Sequence, residues 1–319
     1  MSATAPVAEP TTPSSPDAPF VAPSDPRLSP NFAVTDATFR KPRLDQDAVA
    51  AYCRDGFHLY KQPVLRKPQF ESLTQHFEML LEEHTKAGLR PEAMDTPHFG
   101  DHRLFEWIFS DEILDLVEPL VGPNIALFSS HFLAKPAGNG KRVPWHEDSF
   151  YWRNLMEPMH VCTVWLSIDP SIPENGCMNV IPSALHGYSE YEDVDEDVNV
   201  FGTEVKWLKN VTTDHVDRVT DGPEHLTVRA AACELRPNEA SLHDARLIHG
   251  SDPNKSNLRR CGYTMRFIPA SVLYRSKNHK WPHQIYLARG QGHPDNHYAD
   301  PTKDYPDLFN QRYATGNSH

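Results

Sequence analysis

Apolar residues in this chain repeat first with a helical period and later with an extended one. Val49, Tyr52 and Cys53 recur at helical spacing in about 45–55, and Phe70, Leu73, Phe77, Leu80, Leu81 and His84 form a stripe along 67–87. Gly56 and Gly88 fall where these two helices should end, because glycine accepts the left-handed geometry of a helix stop. A third helix is predicted to start at Ser110 as N-cap, with Asp111 and Glu112 in the first turn favoured by the helix dipole, and to be closed by Pro119 and Pro123. From about 125 the pattern becomes extended. Segments 125–135, 159–168, 177–181, 228–235, 240–249 and 260–268 are short, rich in branched and aromatic residues, and separated by Pro, Gly, Asn or Asp. Helices followed by short strands predict a mainly β fold: an antiparallel double-stranded β-helix, jelly-roll or cupin-like, with the early helices packed on its outside.

The remaining segments frame that core. Residues 1–30 hold eight prolines among Ala, Ser and Thr, too little apolar surface to offset the entropy of ordering, and predict a disordered arm. The stretch 187–227 carries an acidic run from Glu190 to Asp197 and reads as a solvated loop or a lid. The tail 271–319 is polar, with Trp281, Tyr286, Tyr298, Tyr305 and Tyr313 scattered through it and no assigned place. One domain over 31–319 is expected, with its barrel at about 125–270.

Composition narrows the classes. A net charge of −12 with no basic run disfavours nucleic acid and anionic membrane as partners. No apolar run approaches the ~18 residues of a membrane helix, and the start lacks the basic and apolar regions of a signal peptide. The expectation is a soluble, cytoplasmic protein acting on a small molecule; its oligomeric state is not legible. Cys53, Cys162, Cys177, Cys233 and Cys261 are odd in number and widely spaced, as expected of reduced thiols.

The candidate chemistry lies at His146-Glu147-Asp148 and at His249. Residues two apart on an extended segment face one side, so His146 and Asp148 can hold one metal while Glu147 points away. His249, ending a strand-like segment, completes a two-histidine, one-carboxylate face with open positions, the arrangement of non-haem Fe(II) oxygenases. His243 is a rival third ligand on the same strand face, whereas His131 and His160 read as core or cavity histidines. Arg260 lies eleven positions after His249. If 250–259 connects a hairpin, its guanidinium returns to the same cavity, suited to clamping a carboxylate. Arg259 competes for that role, and Arg266, on the same face as Arg260, reads as a structural ion-pair partner. Trp145, Phe150, Tyr151, Trp152 and Trp165 are either an aromatic substrate wall or core.

These residues resemble the phytanoyl-CoA dioxygenase superfamily of Fe(II)- and 2-oxoglutarate-dependent oxygenases. The likeness is carried over roughly 45–270 by Trp145-His146-Glu147-Asp148, Thr163-Val164-Trp165-Leu166-Ser167, the run Glu174 to His186, and His249-Gly250-Ser251 through Asn254 to Arg260. It implies His146, Asp148 and His249 as iron ligands, with oxygen at the open positions and Arg260 as the 2-oxoglutarate clamp. Thr163, Ser167 and Lys135 are further candidates for cosubstrate contacts. It implies hydroxylation of a small metabolite with release of succinate and CO2. Because Asp148 is present, halogenation is disfavoured. Where relatives read Pro-Gly-Ser-His, this chain has Pro182-Ser183-Ala184-Leu185-His186, a longer loop without the glycine. The alternatives are a metal-dependent cupin without a keto acid, for which Arg260 would lack a partner, and a non-catalytic binding descendant, which would be expected to lose a ligand. An acidic lid over the cavity would favour neutral, zwitterionic or cationic substrates.

Overall fold

The computed structural model describes residues 25–35, 37–183, 189–218, 229–278 and 283–301. Its helices are α1 (Gln46–Asp55), α2 (Lys67–Lys86), α3 (Phe105–Ile108), α4 (Asp111–Val121) and α5 (Asp148–Trp152). Its strands are β1 (Phe57–Tyr60), β2 (Met94–Asp95), β3 (Ile125–Lys135), β4 (Val143–His146), β5 (Met156–Glu157), β6 (Cys162–Ser167), β7 (Asn179–Val180), β8 (Tyr191–Asp193), β9 (Thr203–Val205), β10 (Ala231–Ala232), β11 (Ala240–Asp244), β12 (His249–Ser251), β13 (Arg260–Pro269), β14 (Leu273–Tyr274) and β15 (Tyr286–Arg289).

The first three predicted helices form where the periodicity places them. Asp45 caps α1 by accepting from the Ala48 amide, and Gly56 ends it at φ 82°. Pro119 does not close α4 as expected. It costs the hydrogen bond to the Asp115 carbonyl, yet the buried face of Ile113, Leu114, Leu116, Val117 and Val121 carries the helix on to Gly122.

Two antiparallel sheets follow. The large one runs β1-β11-β6-β13-β3-β15, with β2 also on β3; the small one runs β10-β7-β12-β4. The segment 240–249, read as one strand, is two: β11 belongs to the large sheet and β12 to the small one. Gly250 and Ser251 thus belong to β12, and residues 252–259 cross between sheets instead of connecting a hairpin. The unassigned tail contributes β15 to the edge of the large sheet and β14 to a pair with β5. At the other end, residues 1–24 of the predicted disordered arm lie outside the described residues, but 25–30 are anchored: Arg27 pairs with Glu174, and Arg236 donates to the carbonyls of Ser29 and Pro30.

The large sheet has two different faces because side chains alternate along each strand. On the outer face, Cys162, Val164, Leu166, Leu242, Cys261, Tyr263, Met265 and Phe267 pack with Leu73, Phe77 and Leu116 of the helices. Phe132 bridges these layers, stacked on Tyr263 at 3.8 Å and tilted against Phe77 at 4.9 Å. On the inner face, strand register aligns Arg260 with Lys135, Gly262 with Ser167, Thr264 with Trp165 and His131, and Arg266 with Thr163 and Ser129. His243 continues the Thr163 row and Ser241 the Trp165 row. A polar face turned inward, toward the small sheet, is a cost unless something polar occupies the space.

Candidate metal centre

His146 and His249 stand opposite one another on neighbouring strands of the small sheet, their ring centroids 4.1 Å apart. Each Nδ1 lies against a backbone carbonyl: 2.8 Å from Pro144 for His146 and 2.9 Å from Leu247 for His249. A carbonyl can only accept, so Nδ1 carries the proton and Nε2 is left as a bare lone pair suited to a metal. Asp148 is not on the strand itself. The strand ends at His146, Glu147 is an extended N-cap, and Asp148 opens the short helix α5. The single extended residue still places Asp148 beside His146, with Oδ1 3.7 Å from Nε2. His146, Asp148 and His249 each offer a ligand atom within 4.8 Å of the others, and all three are buried.

The protonation states suit a cation. Burial, reinforced by the neighbouring His249, pulls the imidazolium of His146 down to about 3, and burial also lowers His249. Burial pushes Asp148 the other way, but Arg266 and the histidines outweigh it and keep the carboxylate ionised. Two neutral imidazoles and one carboxylate are an N2O donor set that fits Fe(II).

The inner face of the large sheet holds a second set of unmet groups. Arg260 is 2% exposed, yet its Nε and Nη1 have no hydrogen-bond partner. Thr163 Oγ1, Ser241 Oγ and His243 Nδ1 are likewise buried and unpartnered. An orphaned guanidinium inside a protein is rare and fits a missing carboxylate. Arg260 lies over the Trp165 ring at 4.7 Å, and that ring lies across Gly262, where a Cβ would come within 2.0 Å of it.

The other predicted residues fall into different places. Arg259 points outward and pairs with Asp169 and Glu78, so the charge that could compete with Arg260 is already used. Lys135 is buried beside Arg260, but its Nζ donates to Ser251 Oγ (2.7 Å) and the Asp252 carbonyl (2.5 Å). Ser167 donates to the Asp169 carbonyl. Thr163 belongs to the Arg266 row, three same-face steps along the sheet from Arg260. His243 is near His249, with centroids 5.1 Å apart, but does not join the ligand cluster. His131 is held by the Glu92 carbonyl.

The aromatic wall divides. Trp165 is interior. Trp145 takes the core alternative: it alternates with His146, packs behind the small sheet with Ile181, Val205 and Leu208, and donates to the Val211 carbonyl. Phe150 stacks on Tyr191 at 3.6 Å, and Tyr151 lies at the mouth, 6.1 Å from the His146 ring. Trp152 packs edge-on to Phe128. The expected lid is in part a hairpin, β8–β9; residues 184–188 and 219–228 lie outside the described residues, including most of the Pro182–His186 loop. Its Glu190 and Glu192 pair with Lys206 and Lys209 at the surface, so they place no negative charge over the centre. Phe201, missed in the sequence, lies 5.0 Å from the His146 ring; an isolated aromatic within an acidic stretch was the available signal.

Two facing sheets with a two-histidine, one-carboxylate cluster and a buried arginine define the class of the non-haem iron oxygenases. The family model described as phytanoyl-CoA dioxygenase (PhyH) matches residues 44–262, and the chain belongs to that family. A relative named "probable alpha-ketoglutarate-dependent hypophosphite dioxygenase" from Stutzerimonas stutzeri is 26% identical over 187 residues, covering 59% of either chain. A "phytanoyl-CoA dioxygenase domain-containing protein 1 homolog" from Dictyostelium discoideum is 26% identical over 54% of this chain and 58% of its own. The chain thus spans less than two thirds of the length of these relatives. Among solved structures, the non-heme monooxygenase ThoJ aligns with TM-score 0.62 at 20% identity, over 84% of this chain and 92% of its own. The epimerase SnoN, solved with Fe3+ and alpha-ketoglutarate, aligns at 0.59 and 17% identity, over 82% and 93%. At these identities the structures bear on the fold alone.

Proposed function

We propose that this chain is an Fe(II)- and 2-oxoglutarate-dependent oxygenase that hydroxylates a small molecule, its two sheets forming the double-stranded β-helix of that enzyme class. The observation that carries the reading is Arg260: a fully buried guanidinium with two unpaired nitrogens, on the sheet face that looks toward a three-ligand cluster. His146, Asp148 and His249 would hold the iron through Nε2, a carboxylate oxygen and Nε2. Arg260 would clamp the distal carboxylate of 2-oxoglutarate, and Trp165 would fix the plane of the guanidinium. With iron, 2-oxoglutarate and oxygen bound, such a centre couples decarboxylation of the keto acid to succinate and CO2 with oxidation of a substrate C–H bond.

The chain's own contribution is positioning and exclusion of water. The backbone carbonyls of Pro144 and Leu247 set the imidazole tautomers, and Phe201 and Tyr151 cover the His146 side. The alignment of Thr163 with Arg266 moves it away from the distal clamp and toward the metal side. The relatives' names span different reactions, so they do not specify a substrate.

Anaerobic titration of the Fe(II) protein with 2-oxoglutarate, followed by visible absorption, tests the centre. The chelate band is expected with wild type and lost in His249→Ala; its absence from wild type would sink the reading. Arg260→Ala is expected to raise the 2-oxoglutarate requirement at least about tenfold, the worth of one charge-assisted hydrogen bond, and Arg259→Ala to leave it unchanged. The reverse order would move the clamp to Arg259.

A further inference from the structure

Two arginines share the inner face of β13, and the proposed oxygenase uses one. Six residues of strand separate the Cα atoms of Arg260 and Arg266 by about 20 Å. The Arg266 Nε lies 3.4 Å from Asp148 Oδ2, so this second guanidinium approaches the ligand cluster from the end opposite Arg260. Among the described residues that contact is its one ion pair, which leaves both terminal nitrogens without an acid. Glu190 and Glu192 of the hairpin pair with lysines at the surface, Glu204 is buried against Arg142, and Glu147 accepts from Ser189.

The surroundings aim Arg266 into the space between the sheets. Beyond it the inner face becomes apolar, with Ala126, Phe128, Leu155, Met156 and Ile268 packed into a plug that offers a charge nothing. A register shift between Arg266 and Phe267 marks a bulge here, opposite Phe128, and bulges re-aim side chains beside functional sites. Phe128 supports Trp152 at 5.0 Å, and the guanidinium carbon of Arg266 lies 5.3 Å from the Trp152 ring centroid. In the same row, Thr163 Oγ1 and His243 Nδ1 are buried without partners. A cation on an aromatic support, in one row with two unmet polar atoms, Thr163 next to it and His243 one strand further, is a built site.

Charge balance points the same way. Iron(II), Asp148, the 2-oxoglutarate dianion and Arg260 cancel among themselves, which leaves Arg266 as surplus positive charge in a largely buried place, its side chain 13% exposed, where unpaired charge is costly. Lys135 does not alter that balance much, since burial and the nearby Arg260 push it strongly toward the neutral amine.

Building on the oxygenase reading, we propose that Arg266 anchors the substrate, and that the substrate carries an oxyanion group, a carboxylate or a phosphonate, within a few bonds of the carbon oxidised. Thr163 and His243 supply the neighbouring polar contacts. This replaces the leaning toward neutral or cationic substrates, which rested on an acidic lid over the cavity.

The test uses Fe(II)-loaded protein with 2-oxoglutarate under anaerobic conditions, titrated calorimetrically with short-chain carboxylates, the primary amides of the same skeletons, and the matching phosphonates. At least one acid is expected to bind about tenfold or more tightly than its amide, the scale of one charge-assisted hydrogen bond. The carboxylate and phosphonate arms decide which oxyanion it is. Arg266→Gln should abolish that preference and Arg266→Lys should keep part of it, with the visible chelate band intact in both. Equal binding of acids and amides by wild type overturns the assignment. So does an Arg266→Gln protein that keeps the preference but loses iron, because Arg266 would then only orient Asp148. Absence of the band from wild type strikes the oxygenase reading instead, whereas an intact band without acid preference strikes Arg266 alone.

Discussion

Gly262 shows how a single position can govern the proposed cosubstrate end of the centre. A Cβ there would sit 2.0 Å from the Trp165 ring, an overlap that a rigid aromatic cannot absorb in place. Because Arg260 rests on that ring at 4.7 Å, displacing the ring should displace the clamp. Gly262→Ala is expected to cost about 1–3 kcal/mol, as overpacking does, and to raise the 2-oxoglutarate concentration needed for succinate release. Unchanged thermal unfolding together with an unchanged cosubstrate dependence would show that Trp165 is not the support. At this scale the cluster of His146, Asp148 and His249 was legible because a His-x-Asp pair and a distal histidine announce themselves. Arg266 was legible as an ion-pair partner, which its contact with Asp148 matches; the proposed anchoring role rests on its register and its bulge, which no local pattern shows.

The β8–β9 hairpin acts on the centre through one buried acid. Glu204 on β9 is fully buried, pairs with Arg142 and accepts from the backbone amides of Trp145 (3.0 Å) and Asn210 (2.9 Å). The amide of Trp145 belongs to the strand that carries His146, so the hairpin and the ligand strand are held as one piece. Removing one partner of such a buried pair costs about 3–5 kcal/mol, whereas an exposed pair is worth ~0–1 kcal/mol. Glu204→Ala should therefore lower both the unfolding temperature and the affinity for Fe(II), and Glu192→Ala, at a surface pair, should change neither. Equal behaviour of the two variants would rule out the hairpin as a support for His146. The strands over 125–135 and 260–268 could be read from their branched and aromatic runs almost to the residue. The hairpin could not, because its strands are three residues long and its ordering comes from Glu204 and from the Phe150–Tyr191 stack.

At the scale of the whole molecule, His146, His243 and His249 are buried between the sheets with their charged forms disfavoured. Burial, then the neighbouring His249, lowers His146 to about 3 from the ordinary 6.5 and lowers His243 as well; burial lowers His249 against the opposing Asp148. Below about pH 6.5 the unfolded chain binds protons that the folded, metal-free protein refuses, so stability falls as the pH falls, by up to ~1.4 kcal/mol per pH unit for each group. Asp148 works in a lower window, since its depressed carboxylate loses its contribution only as the pH drops through the ordinary carboxylate range and below. Metal-free protein is expected to melt at a lower temperature at pH 5.5 than at pH 7.5, with a shallower dependence in His243→Gln. A melting temperature that is flat or rises toward acid would contradict this account.

What the sequence by itself determined is local and chemical: helices and main strands from their periods, donor identity from residue type, and family from the spacing of His146, Asp148, His249 and Arg260. Tertiary structure alone decided which side chains share the interior. Arg259 and Arg260 are neighbours in the chain, yet strand alternation sends one to Glu78 and Asp169 outside and the other between the sheets. Trp145 and His146 separate in the same way. Pairing register sets Thr163 beside Arg266 and His243 beside Thr163, because contacts across a sheet depend on residues far apart in the chain whose alignment no local pattern encodes.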